Sequence, residues 1–248
     1  VNKNVGDKIE CLVYGHISAL NIDPIEKKPL YHFLPKSKSL SLGTVGCNFK
    51  CSYCQNHGIS QEKNIDKSKY HSPIDLVNMA LKYKCESISY TYNEPTIFYP
   101  YAKDIAIEAK KHGIKSVYGS NGFESSEVID DMKGLIDAVN IDLKCFSQSY
   151  YKSNLGGNLN QVLQNLKHFK KNDIWLEITT LLVPGKNDSK DELEKIAKFI
   201  KEELDEFTPW HISSFHPDYK DMHIPHTSID SLQMAYKIGK EAGLKYVY

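Results

Sequence analysis

The stretch that decides the fold is "SLSLGTVGCNFKCSYC", residues 39–54. Its first half is typical of a short β-strand, and Gly46 allows a sharp turn into a polar loop that carries Cys47, Cys51 and Cys54. Half of the six cysteines therefore lie within eight residues. This spacing is typical of metal ligation, and it indicates a reducing compartment rather than a disulfide framework.

The rest of the chain repeats this order of strand and helix. Further β-rich runs predict strands at 87–93, 115–122, 138–144, 175–183, 209–215 and 244–248. Amphipathic helical patterns lie between them: "SPIDLVNMALKYK", "NLNQVLQNLKHFKK", "DSKDELEKIAKFIKEELDEF" and "SIDSLQMAYKIGKEAG". Because strands that alternate with helices pair in parallel through right-handed crossovers, the pattern predicts an α/β protein.

Several of these strands are polar on one face. Alternate residues of a strand point to opposite sides of its sheet, so the 138–144 run places Asn140, Asp142 and Lys144 together. Two later strands carry polar residues in the same manner: Glu177, Thr179 and His211. A parallel strand covered by helices is apolar on both faces, so these polar faces predict a functional interior.

We predict a partial (β/α)6 TIM-type barrel over residues 39–248, preceded by a small β-structured extension over residues 1–38. The site of such a barrel lies at the carboxyl ends of the strands, which is where the cysteine loop falls. An open, doubly wound sheet is the alternative architecture for the same alternation.

The charge balance argues against nucleic acid or a membrane as a partner. The 31 basic residues are all lysines and are matched by 31 acidic residues, so there is no net field to attract polyanions. The apolar runs are strand-sized and the first ten residues are polar, so we expect no membrane span or signal peptide and a cytoplasmic protein. Without arginine, an anion must be held by lysine, histidine, backbone amides or a metal.

The three clustered cysteines can bind zinc or an iron–sulfur cluster. A closed zinc site needs a fourth ligand, for which His57 is the nearby candidate. On a four-iron four-sulfur (4Fe-4S) cluster, three thiolates leave one iron open for a substrate or cofactor. Three cysteines without a metal are the remaining alternative.

The C-x3-C-x2-C motif, with Tyr53 before its third cysteine, resembles the signature of the radical S-adenosylmethionine (radical SAM) superfamily. The resemblance continues in later blocks: "YTYNEPTIF" (90–98), "SNGF" (120–123), "NIDLK" (140–144), "LLVPGKND" (181–188) and "SSFHPDY" (213–219). The chain is similar to pyruvate formate-lyase activating enzymes and, more closely, to the radical enzyme of the AmmeMemoRadiSam system. Members of that closer family carry extra cysteine-containing segments on both sides, so we expect the chain to be the barrel portion of a longer protein.

This resemblance implies that Cys47, Cys51 and Cys54 each bind one iron and that the fourth iron chelates S-adenosylmethionine. Reductive cleavage would give methionine and a 5′-deoxyadenosyl radical, which abstracts hydrogen from a substrate. Glu94 would bind the methionine ammonium group. The two glycines that usually precede this glutamate are Tyr92 and Asn93 here, and an ordinary strand-end carboxylate is the alternative.

Further cofactor contacts are implied at other strand ends. Ser120 and Asn121 are candidates for the ribose and the methionine carboxylate, although the same residues favour a plain turn. Asp142 and Lys144, which share the polar face of their strand, are further candidate cofactor contacts. Lys144 is the natural partner for the methionine carboxylate in a chain without arginine, and a purely structural pair of Asp142 and Lys144 is the alternative. Contacts to the nucleoside are implied for Tyr53, Val183 and His216.

The substrate matches no motif. Glu177, Thr179 and His211 line the predicted interior outside the cofactor motifs, so we hypothesise that they face the substrate. By analogy with activating enzymes, a protein is one candidate substrate, and a flavodoxin or ferredoxin is a candidate reductant. Two other functions compete: a zinc-stabilised binding protein on a barrel scaffold, and an iron–sulfur electron carrier.

Overall fold

A computed structural model describes all of residues 1–248. Nine strands are present: β1 (Asn2–Val5), β2 (Lys8–Cys11), β3 (Ala19–Pro24), β4 (Lys38–Gly43), β5 (Ser87–Tyr90), β6 (Lys115–Ser120), β7 (Ala138–Asp142), β8 (Trp175–Leu182) and β9 (Trp210–Ser214). Eight α-helices accompany them: α1 (His57–Ser60), α2 (Pro73–Lys82), α3 (Tyr99–Lys111), α4 (Ser126–Met132), α5 (Gln148–Tyr150), α6 (Leu159–Lys171), α7 (Lys190–Phe199) and α8 (Ile229–Glu241). None of these helices combines the length and the apolar character that crossing a membrane requires.

The sheet topology confirms the predicted fold class. Seven strands follow one another in the order β3-β4-β5-β6-β7-β8-β9, and the order never reverses. A doubly wound sheet has a point at which the strand order reverses, so that alternative is wrong. The registers of β4 with β5, β5 with β6 and β8 with β9 are parallel, as crossover helices require.

The N-terminal residues are β-structured. Strands β1 and β2 form an antiparallel two-stranded sheet of their own. Strand β3 instead pairs antiparallel with β4, from Ala19 opposite Gly43 to Pro24 opposite Lys38. The extension therefore contributes an edge strand to the main sheet, and it lies beside the strand that leads into the cysteine loop.

The four predicted helices are confirmed, and their caps explain where they begin. At α2, Ser72 and Asp75 form a capping box and Pro73 occupies the first turn. The helices α6, α7 and α8 begin after Asn158, Ser189 and Ser228, each of which accepts a backbone N–H three residues ahead. A π-helical turn over Ile200–Leu204 extends α7.

Most predicted strands end earlier than expected: the runs 39–46, 115–122 and 138–144 end at Gly43, Ser120 and Asp142. Two further runs differ as well. The 87–93 run ends at Tyr90, because Tyr92 adopts a left-handed backbone with φ of 71° that no extended strand accommodates. The 244–248 run forms only an isolated parallel bridge between Val247 and Trp210.

The chain divides into two compact units, which are described separately below. The first comprises Val1–Asn48, Asn56–Ser120 and Asp130–Val139, and the second comprises Phe49–Gln55, Asn121–Ile129 and Asn140–Tyr248. Each has a buried apolar core, which includes Leu42, Ile88 and Val117 in the first unit and Ile178, Leu182 and Trp210 in the second.

Candidate active site

In the first unit, Asn93 braces the segment that leads into the cysteine loop. Its Nδ2 donates to Thr44 Oγ1 at 3.1 Å and to the Gly46 carbonyl at 2.8 Å, while its Oδ1 accepts from the Thr44 amide at 3.2 Å. Asn93 is 8% exposed. The backbone immediately before Cys47 is thus fixed by one buried amide side chain.

Glu94 is buried, and its carboxylate is held in one orientation. Its Oε1 accepts from the Thr96 amide at 3.0 Å, from Thr96 Oγ1 at 2.7 Å and from Ser120 Oγ at 2.9 Å. Glu94 also caps the 3₁₀ helix Pro95–Phe98, which explains its place directly before a proline. The geometry joins Glu94 and Ser120, two predicted site residues from different strand ends.

Tyr92 stands where the family motif usually has a glycine, and its backbone is in the left-handed region that favours glycine. It takes a φ of 71°, a conformation that glycine adopts at no steric cost. Its hydroxyl donates to Asp23 Oδ2 at 2.7 Å and accepts from Asn21 Nδ2 at 3.2 Å, and Lys28 Nζ lies 4.6 Å from the centre of its ring. Strand β3 and the turn after it therefore hold the side chain of Tyr92 in place.

Asp23 and Lys28 form a buried ion pair beneath this turn. Lys28 Nζ lies 2.6 Å from Asp23 Oδ2, and both residues are 5% exposed. Burial alone would raise the pKa of Asp23, but hydrogen bonds from Lys28, Tyr92 and Lys27 hold that pKa well below its usual range. Burial lowers the pKa of Lys28, and the charge of Asp23, which acts to raise that pKa, offsets the effect only in part.

In the second unit, the middle of the cysteine loop is held by Phe49. Its ring lies 5.6 Å from that of Phe123 and 6.0 Å from that of Tyr151, measured between centroids. Gly157 makes room for the ring, because a Cβ there would stand 2.4 Å from Phe49 Cε1. The Lys50 amide also donates to the Leu155 carbonyl at 2.9 Å.

A polar cluster braces the next loop residue, Ser52. Its hydroxyl donates to Asp221 Oδ2 at 2.6 Å, and Lys186 Nζ donates to the same carboxylate and, at 3.0 Å, to Ser52 Oγ. Burial would raise the pKa of Asp221, but the hydrogen bonds from Lys186 and Ser52 lower it. Lys186 Nζ also lies 5.6 Å from the centre of the Tyr53 ring, which is 5% exposed.

Lys144 and Asp142 form an ion pair, which is the structural alternative that the sequence left open. Their charged atoms are 2.8 Å apart, and the side chain of Lys144 is 15% exposed. Burial opposes the charged form of Lys144, but the charges of Asp142, Cys51 and Tyr53 raise its pKa well above its usual range. The Lys144 amide donates to Tyr151 Oη at 3.2 Å and its carbonyl accepts from Asn187 Nδ2 at 2.7 Å.

The remaining predicted cofactor residues of this unit lie in ordered loops. His216 Nδ1 is 3.2 Å from Gln55 Nε2, next to the last cysteine of the motif. The Val183 amide donates to Asn187 Oδ1 at 2.7 Å, and Asn121 Oδ1 accepts from the Phe123 amide at 3.0 Å. Residues of the second unit contacting the loop thus come from positions far along the chain.

The three predicted substrate residues belong to two buried polar pairs. Glu177 Oε2 is 2.6 Å from His211 Nε2, and its Oε1 accepts from Trp175 Nε1 at 3.0 Å. Thr179 Oγ1 donates to Asn140 Oδ1 at 2.9 Å. Glu177 is completely buried and lies near the amino end of β8. Whether these groups face a substrate stays a prediction.

The chemistry of the thiol set suits an iron–sulfur cluster. No cysteine is in a disulfide, Cys51 is 8% exposed, and Cys47 and Cys54 are partly exposed. Burial raises the pKa of Cys51, while the neighbouring ammonium of Lys144 lowers it. No group of three or more histidine, cysteine or acidic side chains is already arranged as a metal site. The three thiols of the loop nevertheless provide the soft, ionisable ligands that iron requires.

Sequence reasoning missed the side chains that brace the site. Asn93 and Thr96 flank Glu94, so their motif position could have revealed them. Asp23, Lys186 and Asp221 could not have been found this way, because their partners lie up to 169 positions away in the chain.

A strand-end loop with three thiols and a set of fixed charged groups on an α/β fold defines an enzyme-type site. Residues 41–200 match the Radical SAM superfamily. MJ0808 of Methanocaldococcus jannaschii is 42% identical over an alignment of 248 residues, which covers 99% of this chain and 73% of that protein. MJ1227 of the same organism, whose name describes it as a candidate glycyl-radical enzyme activating enzyme, is 30% identical over 68% of this chain and 70% of its own.

A solved structure shares the fold. A domain of the pyruvate-formate lyase-activating enzyme from Bacteroides vulgatus superposes with a TM-score of 0.58 at 17% identity, over 64% of this chain and 96% of that domain. The chain belongs to the radical SAM superfamily, and it is therefore an enzyme. Members of this superfamily generally use a 4Fe-4S cluster and S-adenosylmethionine. The more specific likeness to the AmmeMemoRadiSam enzyme stays a prediction.

Proposed function

We propose that Cys47, Cys51 and Cys54 hold a 4Fe-4S cluster with which the chain cleaves S-adenosylmethionine reductively. The observation that carries this proposal is the C-x3-C-x2-C spacing in the loop directly after β4, inside the region that matches the superfamily. When bound, the cluster supplies the electron that breaks the sulfonium C–S bond and releases a radical able to abstract hydrogen.

Glu94 and Ser120 are assigned to the amino group of the cofactor's methionine in this proposal. Glu94 offers a buried carboxylate whose orientation is fixed by Thr96 and Ser120, which suits an ammonium partner. Because that orientation is already fixed, binding costs little side-chain ordering. Ser120 contributes by holding Glu94 as well as by offering its own hydroxyl.

Residues further along the chain are assigned to the methionine carboxylate and to the nucleoside. Lys144 remains protonated and is steadied by Asp142, so it can pair with the methionine carboxylate. Asn121 offers its amide to the same group or to the ribose. The nucleoside is assigned to Tyr53, Val183 and His216. Tyr53 and Val183 are buried, whereas the side chain of His216 is half exposed.

The substrate of the proposed reaction is a protein, and the electron comes from a flavodoxin- or ferredoxin-type reductant. The identity with MJ1227, named for the activation of a glycyl-radical enzyme, supports this assignment. Glu177, Thr179 and His211 are assigned to the substrate side. Glu177 and His211 are fixed by their bond to each other, and Thr179 is fixed by its bond to Asn140, as groups that orient a substrate require.

Metal analysis tests the proposal. After anaerobic reconstitution with iron and sulfide, the protein should contain about four irons and four labile sulfides per chain. Cys51→Ala should lose most of the cluster, whereas Cys85→Ala, which changes a buried cysteine outside the motif, should retain it. Stoichiometric zinc bound by Cys47, Cys51, Cys54 and His57, without labile sulfide, would overturn the proposal in favour of a binding scaffold.

A further inference from the structure

The turn that presents Glu94 is held in an unfavourable backbone conformation. Tyr92 has a φ of 71°, and a side chain other than glycine is strained there. Such a residue persists only where surrounding contacts determine its conformation. The contacts that do so here come from the N-terminal extension, and no cofactor role accounts for them.

Three residues of the extension converge on the Tyr92 side chain. Asp23 accepts its hydroxyl proton at 2.7 Å, Asn21 donates to the same oxygen at 3.2 Å, and the ammonium of Lys28 lies 4.6 Å from the ring centre. Asp23 is itself fixed between Lys28 at 2.6 Å and Lys27 at 3.0 Å. A buried carboxylate with two ammonium partners is a rigid acceptor, and hydrogen bonds to charged groups are the stronger class.

The two residues after Tyr92 are those that organise the site in this unit. Asn93 bonds Thr44 and Gly46 before Cys47, and Glu94 bonds Thr96 and Ser120. A change in the φ angle of Tyr92 redirects both side chains, because they follow it directly in the chain. The anchor on Tyr92 therefore controls both the segment before Cys47 and the carboxylate of Glu94.

We propose that Asp23 is a positioning residue, which holds Tyr92 in its left-handed conformation and thereby places Asn93 and Glu94 for cofactor binding. This inference rests on the proposed function. It assigns the edge strand β3 a role in the site that the barrel strands alone do not supply.

Substitution by glycine separates this role from ordinary packing. Tyr92→Phe removes the bond to Asp23 but keeps a residue for which positive φ is unfavourable. Tyr92→Gly removes more packing, yet glycine adopts the required φ without steric cost. Affinity for S-adenosylmethionine should therefore be highest in the parent, lower in Tyr92→Gly and lowest in Tyr92→Phe. Thermal stability should instead be highest in the parent, lower in Tyr92→Phe and lowest in Tyr92→Gly.

The experiment measures S-adenosylmethionine binding to the reconstituted protein by calorimetry. Tyr92→Phe and Asp23→Asn should weaken binding about tenfold, as loss of a supporting partner at a metal site does. Tyr92→Gly should weaken it about two- to fivefold. Tyr14→Phe is the matched control, because Tyr14 also donates to a carboxylate, that of Asp104 at 2.6 Å, and should bind as the parent does.

Amide hydrogen exchange supplies a readout that needs no cofactor. The Thr44 amide donates to Asn93, and the Thr96 amide donates to Glu94. Both should exchange faster in Tyr92→Phe and Asp23→Asn than in Tyr14→Phe. A glycine variant that binds more weakly than the phenylalanine variant, or unchanged exchange at both amides, would overturn the inference. If the parent itself fails to bind S-adenosylmethionine while the exchange rates change as expected, the proposed function fails and the coupling stands.

Discussion

Replacing Asn93 by alanine tests whether one amide side chain holds the entrance to the cysteine loop. The substitution removes all three hydrogen bonds of this side chain to Thr44 and Gly46. The Thr44 amide and the Gly46 carbonyl then remain buried without these partners, in a site where Asn93 is only 8% exposed. Water has little access to replace what is lost.

The magnitude follows from the two backbone groups. An unsatisfied buried donor or acceptor costs about 1–3 kcal/mol, so the free energy of unfolding should fall by about 3 kcal/mol. In a chain of this length that corresponds to a decrease in Tm of about 6–12 °C. Because Gly46 directly precedes Cys47, iron retention after reconstitution should also fall.

Asn165→Ala is the matched control for Asn93→Ala. Asn165 is 2% exposed and also makes three hydrogen bonds, to Gly122, Glu124 and Gln161. The Asn165→Ala substitution should lower the free energy of unfolding, measured by chemical denaturation, by a similar amount. It should leave the iron content near the parent value. If Asn93→Ala loses less than about 1 kcal/mol, or if both variants lose iron equally, the assigned role of Asn93 is refuted.

Three further predictions concern other parts of the site. Gly157→Ala should lower the free energy of unfolding by about 1–3 kcal/mol, because the new Cβ would stand 2.4 Å from Phe49. Gly58→Ala is the control and should not lower it, because nothing lies within 4 Å of a Cβ there. Equal denaturation midpoints for the two variants would contradict this prediction. The folded-state pKa of Asp23 lies below its unfolded value, so the stability that its carboxylate contributes is complete above about pH 4 and is lost as the pH falls further. The difference in unfolding free energy between the parent and Asp23→Asn should therefore shrink below about pH 4. A difference that stays constant would contradict this prediction. Glu177→Gln should leave cleavage of S-adenosylmethionine unchanged while lowering substrate turnover, so unchanged turnover would remove Glu177 from the substrate side.

Local sequence patterns predicted the parts of the structure that depend on neighbours in the chain. The polar face of β7 follows from strand periodicity, and the pair of Asp142 and Lys144 follows from that face. Ser72 and Pro73 likewise define the start of α2. The cysteine spacing predicted metal ligation because all three thiols lie within one loop, and their role as ligands stays a prediction.

The supporting contacts required the folded chain. Nothing near Ser52 in the sequence indicates Asp221, since the two residues are 169 positions apart. The backbone of Tyr92 was equally hidden, because tyrosine seldom adopts positive φ and the carboxylate that bonds its hydroxyl, Asp23, lies 69 positions away in the chain. The β-propensity of residues 87–93 predicted that the strand would extend through Tyr92, and tertiary contacts override that propensity.

The measurement that tests the central claim most directly is reductive cleavage of S-adenosylmethionine by the reconstituted protein. With dithionite under anaerobic conditions, the parent should release 5′-deoxyadenosine and methionine, Cys51→Ala should release neither, and Glu94→Gln should bind the cofactor more weakly. Absence of 5′-deoxyadenosine from a parent preparation that carries an intact four-iron cluster would contradict the account.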